Sequence, residues 1–285
     1  MASRARDDVL AGTAPPVDRF LLVEHWGPWG PAPHPMTDLP KAEADTLRAA
    51  AARLGARVLL IRRSGRQAPS LIRAWALVET RAGQESLLWG TYAADTLASA
   101  TFDESDTSAG DSAYLVCTQG RHDQCCAIDG RPVASALAAA RPEQTWECTH
   151  VGGDRFAANL VVLPHGFIYG HVDAVTAIEV VEAYERGFVV PRFLRGRTSG
   201  APALQYVAAH VRQLTGSRGI RDIEPLEVTR TGHDAWRVVL RLQGRDVYEA
   251  HLREQHTAVD SHVTCAGIGP GTIRTFEVIT LETVN

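Results

Sequence analysis

Apolar positions along the chain fall into two periods, and the switches between them mark out the elements. FLLVEHW (20–26) is a short apolar run that reads as a strand, and GPWGPAPHP after it is a Pro/Gly-rich loop. KAEADTLRAAAARLG (41–55) changes to helical spacing: Leu47, Ala50, Ala51 and Leu54 share one face, and Gly55 is placed as the C-cap. Strands follow at RVLLIRR, IRAWALVE and ESLLWGTY, and then the acidic, turn-forming stretch FDESDTSAGDS (102–112). Beyond it come the strand YLVC (114–117), a helix over 131–142 with Val133, Ala136, Leu137 and Ala140 aligned, and a strand over TWECTHV (145–151). NLVVLPHGFIYGHV (159–172) reads as two strands around a Pro-His-Gly turn. TAIEVVEAYERG (176–187) is a helix carrying Ala177, Val180, Val181 and Tyr184 on one face. A further helix spans 201–216, with Leu204, Val207, Ala208 and Val211 aligned. AWRVVLRLQ and VYEAHLREQ then alternate as antiparallel strands.

This order predicts an α/β protein with four parts. A flexible arm covers 1–18, where no secretory apolar core is present, and a mixed α/β domain covers 19–105. A thioredoxin-like domain over 110–190 follows from the order strand, helix, strand, hairpin, helix, and 191–285 forms a C-terminal helix with a small antiparallel sheet. At 285 residues and 45% hydrophobic, the chain has ample material for a core without covalent staples. The net charge of −4 argues against nucleic acid or an anionic membrane as partner, and no apolar run is long enough to span a bilayer.

The five cysteines change the picture, because four of them lie between 117 and 148. An odd, clustered set is not the framework of a secreted disulfide protein, so a reducing, cytoplasmic setting is expected. In CTQGRHDQCC, Cys117 closes a strand and Cys126 comes eight intervening residues later, near a helix start that favours thiolates. His150 closes another strand, and Asp154 follows after Val-Gly-Gly. These four are the candidate ligands, and thiolates select iron–sulfur clusters, zinc or Cu(I). The Gly152-Gly153 pair would let backbone amides approach cluster sulfides. Cys148 is a substitute donor, because positions 148 and 150 share one face of the strand. Cys125 is expected to turn away, Cys265 to be structural, and His122 to be exposed. Arg155 and Asn159 are candidates for supporting the ligands, and Trp26 and Trp29 for packing the loop or an interface. GIGPGTIR (267–274) lacks the ending of a phosphate-binding loop and reads as turn glycine.

CTQGRHDQCCAIDGRP, followed by WECTHVGGDRFAANLVVLPHGFIYG, resembles the sucrase/ferredoxin-like proteins, relatives of the thioredoxin-like [2Fe–2S] ferredoxins, over about residues 110–190. LLVEHWGPWG is similar to bacterial members of that group. The resemblance implies a [2Fe–2S] cluster held by Cys117, Cys126, His150 and one more ligand. Eukaryotic relatives carry H-x-G-G-H at the later motif, and Asp154 stands here where the second histidine would be. The expected function is single-electron transfer with an external redox protein, because no flavin or nicotinamide fingerprint is visible.

Two other classes compete with it. A zinc-binding structural or interaction module could use Cys117, Cys126, Cys148 and His150. A thiol oxidoreductase is disfavoured because no C-x-x-C is present. Sucrose cleavage, suggested by the family name, lacks an assignable carboxylate pair.

Overall fold

A computed structural model describes residues 7–65, 70–259, 262–264, 267 and 269–284. Cys265 lies outside the described residues. Ten strands form one mixed sheet: β1 (Arg19–Glu24), β2 (Arg57–Arg62), β3 (Ile72–Glu79), β4 (Ser86–Ala93), β5 (Ser108–Ala109), β6 (Ala113–Cys117), β7 (Thr145–Cys148), β8 (Leu160–Leu163), β9 (Phe167–Tyr169) and β10 (Leu194–Arg197). Their spatial order is β10-β9-β8-β6-β7-β2-β1-β3-β4-β5. β1 runs parallel to β2, and β6 parallel to β7; the other pairs are antiparallel.

The central strands are apolar on both faces because both faces are covered. In β1, Leu21 and Val23 pack toward the helix α1 (Lys41–Leu54), while Phe20 and Leu22 join the opposite core. Tyr114 and Val116 of β6 similarly face α2 (Gln124–Ala140) and α3 (Ala174–Glu185), and Leu115 and Cys117 face the other way. The C-terminal part places α4 (Pro202–Thr215) on a separate antiparallel sheet of β11 (Ile223–Arg230), β12 (Ala235–Leu242), β13 (Asp246–Val259) and β14 (Gly271–Val284). Residues 271–274 open β14 rather than a helix, and residue 268 of that glycine-rich stretch lies outside the described residues.

Several expectations are corrected. The stretch 102–112 does not separate two sheets. Arg62 of β2 pairs in register with Glu147 of β7, so the segments on either side share one sheet. Residues 7–18 are not a free arm: the Gly12 and Thr13 amides donate to the Arg195 carbonyl at 3.0 and 3.3 Å, and Ala14 exchanges two hydrogen bonds with the Gln205 amide. β7 stops at Cys148 instead of running to 151, which puts His150 in a loop. The helix read over 131–142 begins at Gln124, because the Asp123 carboxylate caps it by accepting from the Cys125 amide at 2.8 Å. Gly130 and Pro132 both lie inside that helix.

Candidate metal centre

The end of β6 and the first turn of α2 carry the two thiols, and the chain has to pack them closely. A side chain at Gly130 would collide with the Cys117 carbonyl oxygen, so glycine is what lets α2 lie against β6. Cys117 and Cys126 are 1% and 0% exposed. His150 arrives from the loop after β7, and its position is fixed from three directions. Its amide donates to Gln119 Oε1 at 2.6 Å, and its carbonyl accepts from Arg57 Nη2 at 2.9 Å. The preceding residue is tied to β2: the Thr149 amide donates to the Leu60 carbonyl, and Thr149 Oγ1 accepts from the Leu60 amide.

The outcome is that donor atoms of Cys117, Cys126 and His150 all lie within 4.8 Å of one another. Burial makes this grouping chemically unusual. The Cys117 thiol is held well below the ordinary thiol range, first by a hydrogen bond from Cys126 and then by His150, against the opposing effect of burial. Cys126 is pushed up, chiefly because its proton bonds to Cys117, with burial adding to the effect. The two sulfurs are thus hydrogen-bonded to each other beside an imidazole. His150 Nδ1 is buried with no hydrogen-bond partner among the described residues. An orphaned buried nitrogen costs about 1–3 kcal/mol.

The other two sequence-derived donors are placed differently. Cys148 is buried in register beside Cys117 on the neighbouring strand, but its sulfur is not in the converging group. Its thiol is pushed up by burial and then by the Cys117 charge. Asp154 is also outside the group, although it borders it. Its carboxyl is pushed up by burial, while the charges of His150 and His122 act to lower it. Cys125 is buried and is not among the converging donors.

His122 was expected to be exposed, but its side chain is only 19% exposed. Its ring centroid lies 4.1 Å from that of His150, its Nε2 is 3.8 Å from Asp154 Oδ2, and its Nδ1 contacts the Pro31 carbonyl at 3.0 Å. Gln119 Nε2 donates to the carbonyls of Gly30 and Ala32 at 2.9 and 2.8 Å. The Pro/Gly loop after β1 thus covers the centre, and Trp29 packs within the core beneath Arg62 at 4.0 Å. Trp26 lies under Arg73 instead, at 3.6 Å.

Gly152 and Gly153 also have a different reason from the one expected. Both have positive φ. A side chain at Gly152 would press on Pro15 at 2.7 Å, and one at Gly153 would strike the Arg195 guanidinium. Arg195, missed by the sequence reading, is 1% exposed. It donates to the Gly152 carbonyl at 2.8 Å, Asn159 Oδ1 at 2.7 Å, and both Oγ1 and the carbonyl of Thr13. Burial pulls its pKa down to about 9. Asn159 Nδ2 in turn donates to the Gly153 carbonyl at 2.9 Å, so Arg195 and Asn159 together fix the turn between His150 and Asp154. Arg155 stacks on Phe156 at 4.5 Å, and its amide donates to Asp154 Oδ1 at 3.1 Å.

Among the described residues, no helix is long and apolar enough to cross a membrane. Neither a curated protein nor a solved structure matches the chain. A family model described as sucrase/ferredoxin-like matches residues 10–196, the stretch that builds the ten-stranded sheet and supplies the three converging donors. The chain belongs to the sucrase/ferredoxin-like family.

Proposed function

We propose that the protein is a one-electron carrier whose thioredoxin-like unit, from β6 to α3, holds a [2Fe–2S] cluster between Cys117, Cys126, His150 and Asp154. The observation that carries this reading is the buried convergence of two thiols with an imidazole. Two soft sulfur donors and a nitrogen suit iron in a cluster. When bound, the cluster would supply a site that gains and loses one electron. The chain's own residues have complementary tasks. Cys117, already favoured as a thiolate, offers the first donor, and Cys126 gives up its proton on ligation. Gln119 and Arg57 hold the His150 backbone, while Arg195 and Asn159 hold the turn that presents Asp154. The loop 30–32 keeps water from the donors.

The test is absorption and electron paramagnetic resonance on anaerobically purified protein. A brown protein that gains a paramagnetic signal on dithionite reduction is expected. A colourless protein with no signal after reconstitution with iron and sulfide refutes the reading.

A second reading is a zinc-binding structural module using Cys117, Cys126 and His150, with Cys148 as the fourth donor. It is favoured by one observation: three donors within 4.8 Å of one another suit a single tetrahedral ion. Stoichiometric zinc in the untreated protein would select it.

A further inference from the structure

The helix that buries Cys126 turns a different face outward. Gln124, Ile128 and Arg131 follow at i, i+4 and i+7 and are exposed, with Ile128 at 68%. Arg121, also exposed, projects from the loop that joins Cys117 to this helix. These residues border a cleft of about 460 Å³ that also includes Trp29 and Arg62. Arg62 and Arg131 also line an adjoining cleft of about 320 Å³ with Arg63 and Trp26.

The charge of this face is locally positive on a chain of net charge −4. Arg62 is neutralised by Glu147 at 2.9 Å, and Glu147 also accepts from Ser64 and Thr118. Asp129, on the same helix, has a partner of its own. Arg121 and Arg131 have no carboxylate within ion-pair distance among the described residues. Two guanidinium groups with no carboxylate partner among the described residues thus flank one exposed aliphatic side chain, two residues along the helix from a buried candidate ligand. An apolar anchor within a charged rim is the anatomy of a transient protein interface.

We propose that this face, centred on Ile128 and flanked by Arg121 and Arg131, docks an acidic redox protein. The inference rests on the carrier reading and deepens it, because Ile128 stands on α2 only two residues from the buried Cys126. Electrostatic steering of an oppositely charged partner would act mainly on association rate and on salt dependence.

The test uses a strongly acidic flavodoxin as the probe, with binding followed by calorimetry and electron exchange by stopped flow. The wild-type protein should bind it, with affinity falling at least about tenfold between about 20 and 200 mM salt. Arg121→Glu/Arg131→Glu should weaken binding about tenfold or more at low salt, with circular dichroism and metal content unchanged. Arg221→Glu/Arg245→Glu makes the same change in net charge at exposed positions next to the four-stranded sheet, and should stay within about twofold of wild type. Ile128→Ser should weaken binding without altering the salt slope. Equal losses in both arginine pairs, no wild-type binding, or tighter binding of duplex DNA through the same arginines would overturn the proposal. Iron content separates the two layers. An iron-free protein that still binds at these arginines refutes the carrier and leaves the face standing. An iron-loaded protein that does not bind refutes the face alone.

Discussion

Gly130 shows how one missing side chain sets the chemistry of this protein. The Cys117 carbonyl occupies the space a methyl group would need, so Gly130→Ala must push α2 away from β6 and take Cys126 with it. The expected cost is about 1–3 kcal/mol in denaturant unfolding, accompanied by loss of bound metal while the helical circular dichroism signal is retained. Normal metal content in a folded Gly130→Ala protein would show that the spacing of Cys117 and Cys126 is not set there. Asp154 invites a second residue-level prediction. Imidazole ligation raises cluster potentials, so Asp154→His should keep its iron and gain potential on the order of 100 mV in a spectroscopic redox titration; an unchanged potential would remove Asp154 from the ligand set. Cys117 and Cys126 were legible in the sequence because clustered thiols stand out, and His150 only through its place in THVGGD. Gln119, Arg57 and Arg195 were not, because an amide or a guanidinium that bonds to backbone carbonyls leaves no periodic trace. His122 was misjudged for a related reason: the loop that covers it comes from ninety residues earlier in the chain.

Elements were read well where one face is buried, and poorly where their ends depend on distant contacts. The helix over 41–55 was recovered nearly to the residue, because Leu47, Ala50 and Leu54 form a core stripe and Gly55 takes the left-handed cap. α2 was started seven residues late, because Gly130 interrupts its composition just before 131 while the Asp123 cap and the sheet hold the first turns together. β7 was run on through His150, although Thr149 leaves the β6–β7 ladder to bond with β2. The β8–β9 hairpin, read correctly with its Pro-His-Gly turn, carries a pH-dependent element. His165 Nδ1 lies 2.7 Å from the Tyr184 hydroxyl, and its Nε2 is buried without a hydrogen-bond partner among the described residues. Burial pulls its pKa down to about 4, from an ordinary value of 6.5. The unfolded chain therefore binds more protons across that window, so stability is full above about pH 6.5 and falls as pH drops toward about 4. His165→Phe should flatten this dependence in urea unfolding at pH 7 and pH 4.5, whereas a slope identical to wild type would assign the acid sensitivity to other groups.

At the scale of the whole molecule, the centre is shared between segments that the sequence appeared to divide. The thiols come from β6 and α2, but the cover over them is the loop after β1, and His150 is fastened to β2 by Arg57 and Thr149. An acidic, small-residue stretch such as 102–112 marks a surface crossing, and composition alone does not reveal that one sheet continues on both sides of it. Arg195 is a long-range fastener, joining Thr13, Gly152 and Asn159. Arg195→Met keeps much of the bulk but leaves three buried carbonyl oxygens without this donor. It should cost at least about 2 kcal/mol and increase protease cleavage within residues 7–18, read by limited proteolysis and mass spectrometry. Wild-type stability with an intact N-terminal segment would contradict that role.

The central claim is that the buried trio of Cys117, Cys126 and His150, completed by Asp154, holds a two-iron cluster rather than a single ion. The most direct measurement is iron, zinc and acid-labile sulfide per chain in protein purified without oxygen. The account predicts about two irons and about two sulfides per chain, both lost in Cys117→Ser and Cys126→Ser. One zinc per chain with no sulfide would contradict it and make the centre a structural metal site.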